Sequence, residues 1–177
     1  MFRYISLLLF VGLAWGQNEY NIKHIVDQDS VYKKKFSDEI VNGNIYQMTD
    51  DMKIPLGKMK NGKKDGLWTE WYPNKRKLEE TYRHGMLDGS VSLYYKTGQK
   101  EWRHTYNNGQ FEGLCTYWYE NWQKMREGNF MCGDSTGKWI WWDKNGRVEK
   151  EKKYKNRKNS IWANYNEYVL IETVTEP

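Results

Sequence analysis

A repeat of 23 or 24 residues runs through most of this 177-residue chain and constrains its fold more than any other feature. The repeats start at Gly43, Gly66, Gly89, Gly113, Gly137 and Ser160. Two residues after each start the side chain is apolar or aromatic, at Ile45, Trp68, Val91, Cys115, Trp139 and Trp162. Five residues after each start the same holds, at Met48, Trp71, Tyr94, Trp118, Trp142 and Tyr165. This periodicity indicates an array in which each unit packs against its neighbours.

Two kinds of turn divide each repeat into two strands. One recurs as Asn61-Gly62, His84-Gly85, Asn108-Gly109 and Cys132-Gly133, and the other as Pro73-Asn74-Lys75, Lys96-Thr97-Gly98, Glu120-Asn121-Trp122 and Lys144-Asn145-Gly146. Asn-Gly and similar pairs supply the positive φ that tight hairpin turns require. The runs between the turns are rich in aromatic and β-branched residues, which favour strands. The sequence therefore predicts an all-β fold with one β-hairpin per repeat.

The array is expected to span residues 43–159, with repeats that start at 43, 66, 89, 113 and 137. Residues 17–42 are interpreted as an N-terminal cap, with a candidate edge strand at 32–36. Residues 160–177 are interpreted as a closing half-repeat followed by a C-terminal strand. The aromatic columns are expected to stack between repeats and to form the structural core, which comprises Trp68, Trp71, Trp118, Trp139, Trp142 and Trp162.

The composition supports a folded chain. The mean hydropathy of −0.99 is in the range of disordered proteins. However, 16% of the residues are aromatic, and disordered chains contain few aromatic residues. We therefore expect the chain to bury surface through large flat rings instead of a thick aliphatic core.

The first sixteen residues, MFRYISLLLFVGLAWG, have the pattern of a secretory signal peptide. Arg3 supplies the positive charge, an apolar stretch follows, and small residues precede a cleavage site before Gln17. The apolar stretch is shorter than the roughly 20 residues that a membrane-spanning helix needs. We therefore expect a secreted or periplasmic protein with no transmembrane segment after cleavage.

The repeat resembles that of the MORN superfamily, in the variant found in bacterial YwqK-like proteins. The resemblance covers residues 43–165 and is carried by the segment 61–74, NGKKDGLWTEWYPN, and by its echo at 108–113, NGQFEG. The chain departs from the pattern where Arg76 replaces a turn glycine, where Trp122 follows Asn121, and at Arg157. The resemblance implies an elongated, curved, single-layer antiparallel sheet of stacked β-hairpins. The YwqK-like family is described as the antitoxin, or immunity, component of a toxin–antitoxin module, so the resemblance implies this role as well.

Catalytic motifs are missing from the sequence. His24, His84 and His104 are the only histidines, and none accompanies a nucleophile pattern or metal-ligand spacing. They are interpreted as ordinary exposed or half-exposed side chains. Cys115 and Cys132 either form a disulfide or, in the case of Cys115, serve as a small buried apolar residue. The chain is therefore predicted not to be an enzyme and to use no cofactor or metal.

The segment 138–158 is strongly basic, with nine Lys or Arg residues against three acidic ones, and it also contains three tryptophans. Such a composition occurs in nucleic-acid-binding proteins. Since an exported protein rarely meets nucleic acid, no nucleic-acid partner is expected. Two alternatives remain, namely attraction to an acidic partner or envelope surface, and lysines that only keep the sheet soluble.

The leading functional hypothesis is a non-enzymatic protein-binding scaffold exported to the cell envelope, with a toxin as its partner if the family resemblance holds. The alternatives are a module that binds carbohydrate or the envelope surface through exposed Trp and Tyr rings, and a structural envelope protein. Exposed aromatic residues on the middle repeats are expected to bind the partner. The candidates are Tyr94, Tyr95, Tyr117, Tyr119, Trp122 and Trp141.

Overall fold

The computed structural model describes residues 18–155 as one open sheet of twelve strands and one small sheet of two strands. The strands are β1 (Glu19–Asn21), β2 (Ile25–Gln28), β3 (Val31–Lys34), β4 (Gly43–Thr49), β5 (Met52–Lys60), β6 (Lys63–Trp71), β7 (Lys77–Arg83), β8 (Met86–Tyr94), β9 (Lys100–Asn107), β10 (Gln110–Phe111), β11 (Gly113–Trp118), β12 (Lys124–Met131), β13 (Asp134–Trp142) and β14 (Val148–Tyr154). A 3-10 turn, Ile22–His24, is the only helix among the described residues. The predicted signal peptide, the closing half-repeat and Trp162 lie outside them.

Strands β4 to β14 follow one another across the sheet as antiparallel neighbours, with the short strand β10 paired beside β9. The prediction of an all-β array of consecutive hairpins is confirmed. One strand departs from it, because β1 pairs in parallel with β4 and forms the outer edge at the first repeat.

One edge of the sheet carries the two-residue turns. Asn61 and Gly62 both have positive φ, 52° and 67°, as a mirror-image hairpin turn requires. The tip glycine of each later turn donates its N–H to a carbonyl of the preceding hairpin. Gly85 bonds to Lys64 at 2.9 Å, and the equivalent bonds join Gly109 to Leu87 and Gly133 to Phe111. These bonds tie each hairpin tip to the repeat before it.

The opposite edge carries the longer turns, which share one hydrogen bond. The N–H of the fourth residue donates to the carbonyl of the first, as in Gly98 to Tyr95 at 2.9 Å. This fourth residue has positive φ in every copy, and Lys75 and Trp122 occupy it at 63° and 71°. The sequence interpretation that Arg76 replaces the turn glycine is therefore wrong, since Lys75 holds the left-handed position.

A bulge recurs in the second strand of three repeats. The extra residues, which have no partner in the preceding strand, are Glu101, Met125 and Glu149. Each lies opposite the peptide bond between the fourth and fifth residues after the repeat glycine. Bulges increase the local twist and re-aim the flanking side chains. The strands therefore twist most strongly next to the longer turns.

Side chains alternate between the two faces of each strand, and the two faces differ in chemistry. Ile45, Trp68, Val91, Cys115 and Trp139 are all buried on one face, which we call the aromatic face. The other face, called the polar face, carries ion pairs between neighbouring side chains. These include Lys77–Glu79, Lys124–Glu127 and Lys138–Glu151.

The N-terminal cap covers the aromatic face at the first two repeats. Ile25 and Val41 pack with Ile45, Met59 and Trp68 in the main apolar cluster. The predicted edge strand at 32–36 is instead part of a separate hairpin, since β3 ends at Lys34 and pairs with β2. This hairpin folds over the sheet because its apolar side chains reach the cluster.

The second aromatic column does not form the predicted core. Trp71 is 54% exposed, so its assignment to the core is wrong, and Trp118 and Trp142 are only half-buried. The column lies on the polar face, where a single-layer sheet provides no opposing layer. Lysines lie over these rings instead. Lys77 is 5.9 Å from the Trp71 ring centroid, and Lys124 is 5.7 Å from that of Trp142.

The two buried tryptophans of the aromatic face each lie on a glycine. A Cβ added to Gly57 would come within 2.5 Å of the Trp68 ring, and one added to Gly128 within 2.0 Å of the Trp139 ring. The indole N–H of Trp139 donates to the Asn129 carbonyl at 3.2 Å, and that of Trp68 makes the equivalent bond. Each indole is thus fixed flat against a bare stretch of backbone.

This packing predicts the effect of filling the glycine. Gly128→Ala is expected to lower the free energy of unfolding by about 1–3 kcal/mol, because the added methyl group overlaps the Trp139 ring. Urea denaturation would measure the loss. In a Trp139→Val background, the same alanine is expected to cost little. An equal cost in both backgrounds would show that the ring is not the reason for the glycine.

Candidate binding face

An unbroken path of ring contacts runs along the aromatic face from β9 to β14. Neighbouring rings lie with their centroids no more than 6.1 Å apart along Trp102, His104, Phe111, Phe130, Trp139 and Tyr154. The apolar cluster formed with the cap ends earlier, at Tyr82 in β7. The aromatic face of the last three described hairpins is therefore the broadest candidate for an interaction surface.

A row of side chains crosses this face beside the longer turns, and we call it the Arg126 row. Strand register places its members opposite one another in the order Trp102, Tyr117, Arg126, Trp141 and Lys150. The guanidinium carbon of Arg126 lies 3.8 Å from the Tyr117 ring centroid. The Lys150 ammonium lies 5.9 Å from the Trp141 ring centroid. From Tyr117 to Lys150, aromatic rings and cations thus alternate along the row.

The carboxylates of the same strands lie elsewhere. Glu127 accepts hydrogen bonds from Thr116 and Lys124 on the polar face, and Glu151 pairs there with Lys138. Arg126 forms none of the ion pairs found within residues 18–155, and its Nε is buried without an acceptor. The aromatic face of β11 to β14 therefore carries positive charge that these carboxylates do not neutralise.

His104 lies beneath the row and is buried, in contrast to the exposed or half-exposed position expected from the sequence. Its Nε2 is 2.8 Å from the Tyr117 hydroxyl, and its Nδ1 has no hydrogen-bond partner. Burial and the nearby charge of Arg126 lower the pKa of His104 to about 4. The imidazole is therefore neutral at pH 7 and leaves Arg126 as the cation at this point of the face.

This lowered pKa predicts a loss of stability in mild acid. An unfolded histidine binds a proton near pH 6.5, whereas folded His104 binds one only near pH 4. The unfolded state therefore holds more protons between these values, so the free energy of unfolding falls as the pH decreases through this window. Urea titrations across the window are expected to show this trend in the wild type and a flatter one in His104→Phe. Equal slopes would contradict the assignment.

Both cysteines are free thiols in the structure. Burial raises the pKa of Cys115 to about 11, so its thiol stays protonated and acts as a small core side chain. Cys132 is exposed at a hairpin tip, with a positive φ of 51°. Within the described residues, no three His, Cys, Asp or Glu side chains are grouped so that they could hold a metal ion.

The six predicted partner-binding residues do not share one surface. Tyr117 and Trp141 belong to the Arg126 row. Tyr94 lies on the polar face, where its hydroxyl donates to Glu79 at 2.6 Å. Tyr95, Tyr119 and Trp122 belong to the longer turns.

The hydroxyl groups of Tyr95 and Tyr119 connect successive repeats. They donate to the backbone carbonyls of Trp118 and Trp142 at 2.9 and 3.0 Å. Both rings are half-buried. The expectation that Tyr95 and Tyr119 are exposed rings therefore does not match their positions.

Sequence reasoning did not select Phe111 and Phe130 for the binding face. A signal for Phe130 was present, because an aromatic residue recurs two positions before three of the two-residue turns, at Tyr82, Tyr106 and Phe130. Strand pairing places these side chains on the same face as His104. Phe111 has no equivalent ring in the other repeats.

Trp122 combines strain with exposure. Its φ of 71° lies in the left-handed region, where Gly98 and Gly146 occupy the equivalent positions of other repeats. Its side chain is 73% exposed. A bulky side chain in this conformation costs about 1–2 kcal/mol, and burial of the indole does not offset that cost. Its exposure and strain make Trp122 a candidate contact residue.

Replacing Trp122 by glycine is expected to stabilise the fold by about 1 kcal/mol, since the strain is removed while glycine adds some unfolded-state entropy. Thermal unfolding would measure the gain. Lys75→Gly is the matched control, because Lys75 occupies the same strained position two repeats earlier. Both variants are expected to unfold at a higher temperature, and a lower melting temperature for Trp122→Gly would show that the indole is held by contacts.

Comparison with known proteins adds no family to this description. The chain matches none of the protein-family models, and it matches no curated protein. Among the described residues, no helix combines the length and apolar composition needed to cross a membrane. The functional proposal therefore depends on the geometry of the aromatic face and on the sequence repeat.

Proposed function

We propose that this chain is an exported, non-enzymatic scaffold that binds a protein partner on the aromatic face of its last three described hairpins. The observation that carries the proposal is the Arg126 row. It places Trp102, Tyr117 and Trp141 around an arginine that pairs with no carboxylate of residues 18–155. Tryptophan, tyrosine and arginine are the residues that most often contribute the binding energy of protein interfaces.

The architecture suits such a role. Each hairpin adds about 10 Å to the sheet, since neighbouring strands lie about 4.8 Å apart. The array therefore presents an extended surface on rigid strands, and no loop has to order on binding. Within residues 18–155, the N-terminal cap packs at the first repeats, and its apolar cluster does not reach the aromatic face of β11 to β14.

The identity of the partner class follows from the sequence resemblance. The MORN-like repeat of YwqK-like proteins implies an immunity protein, so we propose a toxin as the partner. The signal-peptide pattern of residues 1–16 places the proposed encounter in the cell envelope or outside the cell.

A second candidate function is binding of carbohydrate or the envelope surface. The exposed Trp122 at a turn tip favours it, because a protruding indole can stack on a sugar or insert at an interface. In this case Trp122, and not the Arg126 row, would carry the binding. The two functions therefore make opposite predictions for single substitutions.

The test is photo-crosslinking in the host, with the full-length chain carrying a crosslinker in place of Leu93, which neighbours Trp102 on the aromatic face. We expect a discrete protein adduct that Trp141→Ala abolishes. Trp71→Ala is the matched control, since Trp71 is an exposed tryptophan on the polar face. Retention of the adduct in Trp141→Ala would contradict the proposal. Loss of envelope retention or of binding to a glycan array in Trp122→Gly alone would favour the second candidate.

A further inference from the structure

The charge on the aromatic face is unevenly distributed, and this points to the chemistry of the ligand. At its N-terminal half, Lys64 forms an ion pair with Glu80 at 4.0 Å. At its C-terminal half, Arg126 and Lys150 face the same side as Tyr117 and Trp141, whereas Glu127 and Glu151 turn to the polar face. Glu149 lies in the bulge beside the row. The C-terminal half is therefore an aromatic surface with net positive charge.

Arg126 is held in a way that suits a carboxylate. Its guanidinium carbon lies 3.8 Å from the centroid of the Tyr117 ring, and Trp141 is its cross-strand neighbour on the other side. The planar guanidinium presents its donors as a fork, which matches the two oxygens of a carboxylate. The rings also exclude water, so an added carboxylate would interact with Arg126 more strongly than on an open surface.

A buried polar atom in the row supports an absent anionic partner. Within residues 18–155, Arg126 Nε lacks a hydrogen-bond partner, although most buried polar groups in folded proteins have one. A negatively charged group seated on Arg126 would compensate the incomplete solvation of the guanidinium.

From these observations we propose that the Arg126 row binds an acidic peptide segment of the partner, with one carboxylate on Arg126 and a second one near Lys150. This inference rests on the protein-binding function proposed above and specifies its ligand.

The spacing of the row sets the pattern of the peptide. Arg126 and Lys150 lie two strands apart, or about 10 Å. A peptide in the polyproline II conformation places side chains three residues apart on the same side at about this distance. Trp102 lies two strands from Arg126 in the other direction and offers a ring to an apolar side chain. The expected segment runs across the strands, with an apolar residue followed by two acidic residues about three positions apart.

A peptide is favoured over an anionic membrane because of where the charges lie. Arg126 is half-buried between rings on the face of the sheet, so a flat lipid surface would have difficulty reaching its guanidinium. An extended chain can lie along the row and bring each carboxylate to its cation. Anionic vesicles therefore serve as a competing outcome of the test.

The probe is a synthetic peptide array in which two glutamates stand at varied spacings in an apolar frame of about eight residues. The full-length secreted protein is expected to bind best at a spacing of three. Replacing both glutamates by glutamine is expected to weaken binding about tenfold or more, because the charge-assisted hydrogen bonds are lost. Equal binding of the Glu and Gln peptides, or preference for phosphatidylglycerol vesicles over the peptides, would overturn the inference.

Substitution of the arginine gives a second, independent test. Arg126→Gln is expected to lower the affinity for the Glu peptide about tenfold and to leave the weak binding of the Gln peptide unchanged. Arg126→Lys keeps the positive charge but loses the forked arrangement of donors. Its affinity for the Glu peptide is expected to lie between those of the wild type and Arg126→Gln. Arg103→Gln is the control, because Arg103 lies on the polar face of β9. An equal loss in Arg103→Gln would show a general effect of net charge and overturn the assignment.

The outcomes separate this inference from the broader proposal. If Trp141→Ala abolishes the protein adduct in the host while Arg126→Gln does not affect it, the protein-binding proposal is supported and the acidic-peptide inference is wrong. If neither substitution affects the adduct, both fail. If Arg126→Gln does not fold, the comparison of Glu and Gln peptides on the wild-type protein still tests whether binding requires the carboxylates.

Discussion

Pairing between successive hairpins is the interaction on which this structure depends. A two-stranded hairpin is marginally stable alone in water, and a single layer offers it no opposing sheet. Each hairpin is therefore stabilised by its neighbours through strand pairing and through recurring bonds at both edges. At one edge a tip glycine such as Gly85 bonds to the preceding repeat, and at the other Tyr95 and Tyr119 bond to the following one. These bonds fix the spacing of the whole array.

A single-layer sheet has two faces in contact with water, and the interactions that cover the two faces of this sheet differ. The polar face uses ion pairs and places the stems of lysines such as Lys77 over the exposed ring of Trp71. The aromatic face uses ring packing, with the N-terminal cap laid over its first two repeats. Beyond the cap the rings pack against one another, and this leaves a surface that is rigid, largely apolar and positively charged.

The proposed binding function depends on this difference between the two faces. The same alternation that sends Glu127 and Glu151 to the polar face leaves Arg126 between aromatic rings, with no acidic partner in the part of the chain that the structure describes. The proposed binding site is thus a consequence of strand register, and every residue in it is placed by the sheet. Trp122 is a separate case, since its exposure comes from a strained turn at the edge.

The sequence by itself determined the hairpin repeat, because the spacing of turn residues and of the buried column from Ile45 to Trp139 is a local property of each unit. It did not determine which other rings are buried. Trp71, which was expected in the core, is exposed, and His104, which was expected at the surface, is buried. Burial in a single-layer sheet depends on the face to which a side chain points and on what packs over that face. The place of Arg126 among the rings was likewise decided by the register between neighbouring strands, which the repeat pattern alone does not fix because bulges shift it.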